Sequence, residues 1–132
     1  MKLLVDNNLS PRIARCLQAL FEDEHQIIAK REKFAENTTD VEWITALNEE
    51  GGWAVITADL HIRTRPHERA ALDRSNIVFF FLASAWRKYS VEETAVRLIR
   101  LMPKIVAQTA LAAGGRFELP INAQSKLRPH RN

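Results

Sequence analysis

A single cysteine, Cys16, among 132 residues excludes an internal disulfide, so the fold has to rest on packing. Cys16 falls among the apolar positions of the first expected helix and reads as a small buried hydrophobe rather than a nucleophile. No apolar run approaches the ~20 residues that cross a bilayer, and Met1-Lys2 leads into a strand rather than a signal peptide. No membrane partner is therefore expected, and a cytoplasmic location is. Net charge is also scarce. The 19 Lys and Arg against 16 Asp and Glu leave +3, too little by itself to mark a polyanion-binding protein. Repeats, linkers and shifts of composition are lacking too, and with them any sign of a second domain.

What is present is the material of one globular domain. Hydrophobic residues make up 46% and charged residues 27%, which argues against wholesale disorder. A chain of this size buries roughly two thirds of its unfolded surface without help from metal or disulfide. Its organising stretch is Lys2 to Pro11, KLLVDNNLSP. An apolar run ends in Asp6, Asn7 and Asn8 turn the chain, and Ser10-Pro11 has the signature of a helix N-cap followed by the first helical position. An acid thus stands at the carboxyl end of a strand, where ligands and catalytic groups gather in open α/β sheets.

Further along, Ile13, Ala14, Leu17, Leu20 and Phe21 keep helical spacing. His25 to Ala29 suits a second strand, and the polar stretch Lys30 to Asn37 reads as a loop. Thr39-Asp40-Val41-Glu42 has the form of a capping box, opening a helix that stops near Gly51-Gly52. Trp53 to Thr57 is a buried strand that runs into Asp59, and Pro66 starts a short helix. Ile77 to Leu82, the most apolar run, reads as a central parallel strand covered on both faces. Ser90-Val91-Glu92-Glu93 opens a long helix in which Pro103 predicts a kink or a break. Arg116 to Pro120 is a candidate edge strand. The alternation predicts an α/β fold, a single-domain α/β/α sandwich over residues 1–122 with a mostly parallel sheet of about five strands, followed by a basic, disordered tail over 123–132.

In that architecture Asp6 and Asp59 emerge at the same sheet edge if their strands are neighbours, and Asp40 opens the helix that feeds the third strand. Three acids could converge. Crowded carboxylates repel unless a cation lies between them, and hard dications such as Mg2+ or Mn2+ take oxygen ligands while keeping several waters. A water acidified by such a metal can attack a phosphodiester. Plainer readings stay open: Asp40 as part of a helix cap, Asp59 as a turn residue. Asp6, set between an apolar strand and two asparagines, must be solvated or paired. His61, Arg63, Arg65, His67 and Arg69 follow the third acid and could position a phosphate chain, or could form a solvated face. Trp43, Trp53 and Trp86 could stack on bases or pack in the core, the core being the expectation for Trp53.

At these residues the sequence resembles the PIN-like nucleases, the superfamily that includes the VapC-type toxins of bacterial toxin–antitoxin pairs. More closely it resembles a short PIN-like branch whose first strand ends in D-E-N-L-P or similar, here Asp6-Asn7-Asn8-Leu9-Ser10-Pro11. Thr39 to Leu47 is similar to the branch's Asp-led helix with Ala46 on its buried face, and Val55-Ile56-Thr57-Ala58-Asp59 to its strand ending in T-x-D. The likeness runs over residues 1–85. It implies Asp6, Asp40 and Asp59 as catalytic, metal-binding acids holding Mg2+ or Mn2+, with Thr57, Asn7 and Asn8 supporting them. It also implies RNA as the substrate, met by His61, Arg63, Arg65 and Arg69, and a cognate antitoxin protein as partner; a homodimer is left as an option. Two departures stand out. The fourth acid of larger relatives has little room between Ile28 and Asp40, leaving Glu42 as the additional candidate, and Asn7 and His61 stand where relatives often carry acids.

The leading expectation is therefore a divalent-metal-dependent endoribonuclease, the toxin of such a pair. Two alternatives are a PIN-like module that binds RNA or protein without cutting, and a receiver-like Mg2+-binding switch. The switch would need a phosphoacceptor after the third strand and a lysine after the fifth, where none stands convincingly.

Overall fold

Ser10 and Pro11 start the first helix as expected. The Ser10 hydroxyl accepts from the Arg12 amide, and Pro11 occupies the first helical position, where its missing N–H costs nothing. The computed structural model describes residues 1–129; His130 and Arg131, the end of the expected basic tail, lie outside the described residues. In chain order the elements are β1 (Lys2–Val5), α1 (Pro11–Phe21), β2 (Gln26–Ala29), α2 (Lys30–Lys33), α3 (Asp40–Glu50), β3 (Trp53–Thr57), α4 (Pro66–Arg74), β4 (Val78–Leu82), α5 (Val91–Leu111), β5 (Gly115–Leu119) and β6 (Arg128–Pro129). Short 3-10 turns cover Leu60–Arg63 and Ser84–Lys88. No described helix is long and apolar enough to cross a membrane.

One sheet of six strands results, in the order β2-β1-β3-β4-β5-β6, and β1 through β5 pair in parallel. From β1 the chain builds β2 on one side and then crosses back to lay β3 on the other. That reversal in strand order puts the topological switch point of the sheet at the carboxyl ends of β1 and β3. Receiver domains share this strand order, but Leu119 leads into Pro120-Ile121-Asn122, with no lysine directly after β5.

Each face of the sheet has its own core. Leu3, Val5, Ala54, Ile56, Phe80 and Leu82 pack beneath Leu17 of α1 and Leu98, Leu101 and Ile105 of α5. Leu4, Val55, Phe79 and Phe81 pack beneath Trp43, Ile44 and Leu47 of α3 and Leu72 of α4. Every residue of β3 and β4 is buried, as unbroken apolar runs in a two-sided parallel sheet require.

Four local expectations give way to packing. Residues 123–129 do not simply trail off: Leu127 packs on the α1/α5 core, and Arg128–Pro129 pairs antiparallel with β5, Phe117 opposite Pro129. A proline is tolerated there because β6 is the sheet edge. α5 runs unbroken through Pro103, which lies on its exposed side, where water can take the carbonyl that the ring leaves free. The stretch after β2 opens with the short helix α2 rather than a loop. Cys16 is exposed, because the buried stripe of α1 runs through Ile13, Ala14 and Leu17 and passes it by.

At the far end of α3 the Glu50 carboxylate accepts from Trp53 Nε1 at 2.8 Å and faces Lys33 Nζ at 3.1 Å. These partners, Lys33 first, hold its pKa below the ordinary carboxylate value. A carboxyl with a depressed folded pKa stabilises the fold above its unfolded pKa and loses that contribution as pH falls through the folded value. Glu50→Gln is expected to lower Tm at neutral pH, with the deficit shrinking in acid. A deficit of equal size at both ends of a pH series of melting curves would contradict this.

Candidate functional site

Strand alternation and register assemble the site. Successive strand residues point to opposite faces, so Asp6 shares the face of Leu4, Lys30 that of Ile28 and Thr57 that of Val55; the face is the one α3 covers. Val5 pairs with Ala29 on one side and with Ile56 on the other. The next residue of each chain segment is then Asp6, Lys30 or Thr57, and the three stand side by side at the carboxyl edge, facing the amino end of α3.

Asp6 is only 4% exposed, and each of its oxygens is used. Oδ2 accepts from the Thr57 hydroxyl at 2.7 Å; Oδ1 accepts from the Asn7 amide at 2.7 Å and lies 2.9 Å from Lys30 Nζ. The same ammonium stands 4.0 Å from Asp40 Oδ1 and 5.1 Å from the centre of the Trp43 ring. Asp40 does not cap α3. Thr39 does, its hydroxyl accepting from the Glu42 amide, which frees the Asp40 carboxylate to accept from Trp43 Nε1 at 2.9 Å. Two carboxylates from distant parts of the chain thus face one cationic group that is 14% exposed.

Asp59 is tied to this pair through Thr57, whose hydroxyl accepts from the Asp59 amide at 3.0 Å while donating to Asp6. One oxygen of the Asp59 carboxylate is engaged locally: Oδ1 accepts from the His61 amide at 2.9 Å and caps the turn Leu60–Arg63. Asn8 Oδ1 accepts from the Ala58 amide at 3.1 Å and so joins the loop after β1 to the loop after β3. The Asn7 carbonyl accepts from Arg31 at 3.4 Å. Among the described residues no group of three or more His, Cys, Asp and Glu side chains is gathered closely enough to hold a metal.

The remaining candidates lie further out. Glu42 is exposed in the first turn of α3. His61, Arg65 and Arg69 are exposed; Arg69 lies 3.9 Å from Asp73, and the Arg63 guanidinium lies over the Phe81 ring. None of the three tryptophans is free to stack on a base. All are buried, and their indole nitrogens donate to Asp40, Glu50 and the Leu119 carbonyl respectively.

Donor chemistry decides whether a dication suits this place. Asp6 and Asp40 present hard anionic oxygens to a common cation position, marked by the Lys30 ammonium. Mg2+ is commonly held by one or two carboxylates, with water completing its shell. The donor chemistry of the pair fits such an ion, at the position the Lys30 ammonium occupies. Lys30 is the residue that sequence reasoning missed, read there as the first residue of a loop. The signal was available: aligning the ends of the first two strands as parallel neighbours sets Val5-Asp6 beside Ala29-Lys30.

Residues 1–84, well over half of the chain, match the family described as PIN like domain. No curated protein and no solved structure matches the chain. Domains of the matched kind are typically nucleases, bind nucleic acid and use divalent metal ions. The α/β architecture with its mostly parallel sheet is consistent with that family, and the three motifs that begin at Asp6, are led by Asp40 and end in Asp59 all fall inside the matched segment. The chain belongs to the PIN-like domain family.

Proposed function

We propose that the protein is a divalent-metal-dependent endoribonuclease, and the toxin half of a toxin–antitoxin pair. The observation that supports it most is the sharing of one cationic group, the Lys30 ammonium, by Asp6 and Asp40 at the carboxyl edge of the sheet, beside the switch in strand order between β1 and β3. In this reading Asp6 and Asp40 hold Mg2+ or Mn2+, and Asp59 is the third acid. When bound, the ion acidifies a water and steadies charge on the phosphodiester. Thr57 fixes the rotamer of Asp6 through its hydroxyl, and Asn8 keeps the two acid-bearing loops together. The exposed His61, Arg65 and Arg69, with Arg63 beside them, take phosphates of the RNA and set its position without reading its sequence.

A second reading, a PIN-like module that binds RNA or a protein without cutting, is favoured by the lysine between the two acids and by Asn7 and His61 standing at acid positions of the branch. One assay separates the two. Single-stranded RNA labelled at one end is incubated with the protein in Mn2+ or in EDTA. Internal cleavage that needs Mn2+ and disappears in Asp6→Asn supports the nuclease. Retention of RNA on the protein with no cleavage under either condition supports the binding module.

A further inference from the structure

We infer that Lys30 is the resident counter-cation of the acid pair, so that a divalent ion enters the site only by exchange with this side chain. The inference rests on the reading of Asp6 and Asp40 as metal-holding acids, and on no activity toward RNA.

Backbone register, not a chance excursion of a long side chain, brings the lysine there: Val5 and Ala29 are partners, and Asp6 and Lys30 are the residues that follow them. The ammonium is 2.9 Å from Asp6 and 4.0 Å from Asp40. It also sits over the indole face of Trp43, whose N–H holds the Asp40 carboxylate. That aromatic face attracts a cation and carries no charge to compete with it. A carboxylate as buried as Asp6 cannot stay unneutralised in so apolar a setting, and the neighbouring Arg31 is engaged with the Asn7 carbonyl. Lys30 therefore performs in the metal-free protein the task a dication performs in a loaded one.

Exchange has a definite consequence for affinity. One ammonium leaves the two carboxylates with a net negative charge, which still attracts a dication. The incoming ion must nevertheless displace a close ion pair and shed part of its water, a step Mg2+ makes reluctantly. The sign of the effect is diagnostic. Damage to a supporting residue weakens metal binding, whereas removal of a competitor strengthens it.

The test uses the full chain and Mn2+ alone, with binding measured by titration calorimetry and Tm measured in EDTA. Lys30→Met keeps most of the stem and removes the charge; Lys30→Gln serves if the methionine variant folds poorly. Both are expected to melt lower than wild type in EDTA and to bind Mn2+ at least about tenfold more tightly, a factor of ten being 1.4 kcal/mol. Lys30→Arg keeps a cation and is expected to bind as weakly as wild type. Lys33→Gln removes the same charge from the same short helix, away from the acids and beside Glu50, and is expected to leave Mn2+ affinity unchanged. Folded Lys30 variants that bind Mn2+ no more tightly than wild type, or tightening of equal size in Lys33→Gln, would overturn the inference. Tightening at Lys30 in a protein that leaves RNA intact would uphold it and count against the nuclease alone.

Discussion

Truncation of Trp43 to alanine is expected to destabilise the protein by about 3–5 kcal/mol, the usual cost of emptying a large aromatic site in a core. Its ring is fully buried, 6.3 Å from that of Phe79 at a tilt of 44°, and lies between α3 and the sheet. The same side chain serves the site. Its N–H fixes Asp40, and its face lies beneath the Lys30 ammonium. Trp43→Phe separates the two roles, since it keeps an aromatic ring in the core but drops the hydrogen bond, leaving the carboxylate free to rotate. The phenylalanine variant should therefore recover most of the stability but not the order of the acid pair. Urea unfolding measures the first effect. A loss below about 1 kcal/mol for the alanine variant would mean that the cavity collapses and that the ring is not a structural support.

Asp6→Ala comes next in size. Removing one partner of a buried ion pair costs about 3–5 kcal/mol when the other charge stays buried. The lower end is expected here, because Lys30 is 14% exposed and its head can reach water. The Thr57 hydroxyl and the Asn7 amide lose their acceptor in the same step. Asp6→Asn keeps an acceptor of similar shape and should cost less stability while removing the charge that the proposed metal needs. Combining Asp6→Ala with Lys30→Met should cost clearly less than the sum of the two single changes, since each alone strands the other's charge. Strict additivity in denaturant unfolding would show that the pair is not coupled.

Much of this was legible in the sequence. Ser10-Pro11, Thr39 with Glu42 and Ser90 with Glu93 mark helix starts through local chemistry, and each is a helix start in the structure. Unbroken apolar runs at Trp53 to Thr57 and Ile77 to Leu82 signal two-sided burial, and both become interior strands. Asp6 is conspicuous as an acid closing an apolar strand, and its burial with a paired charge follows the same logic.

What was not legible depends on partners remote in sequence. Lys30 acquires meaning only when β2 is laid against β1 in register, which no local pattern encodes. The antiparallel pairing of Arg128–Pro129 exists because β5 offers an edge, although the tail's own composition suggests disorder. Cys16 has helical spacing to Ile13 and Leu20, but the helix meets the sheet along a narrower stripe than the periodicity implies. For the tryptophans, indole hydrogen bonds to Asp40, Glu50 and Leu119 settle burial in a way that hydropathy alone does not.

A crystal of the protein soaked in Mn2+ and measured for anomalous scattering tests the account most directly. A single anomalous peak bounded by the carboxylates of Asp6 and Asp40, with the Lys30 ammonium withdrawn from between them, is the predicted result. A peak bound elsewhere, or a saturating soak that leaves Lys30 seated between the two acids with no peak beside them, would contradict it.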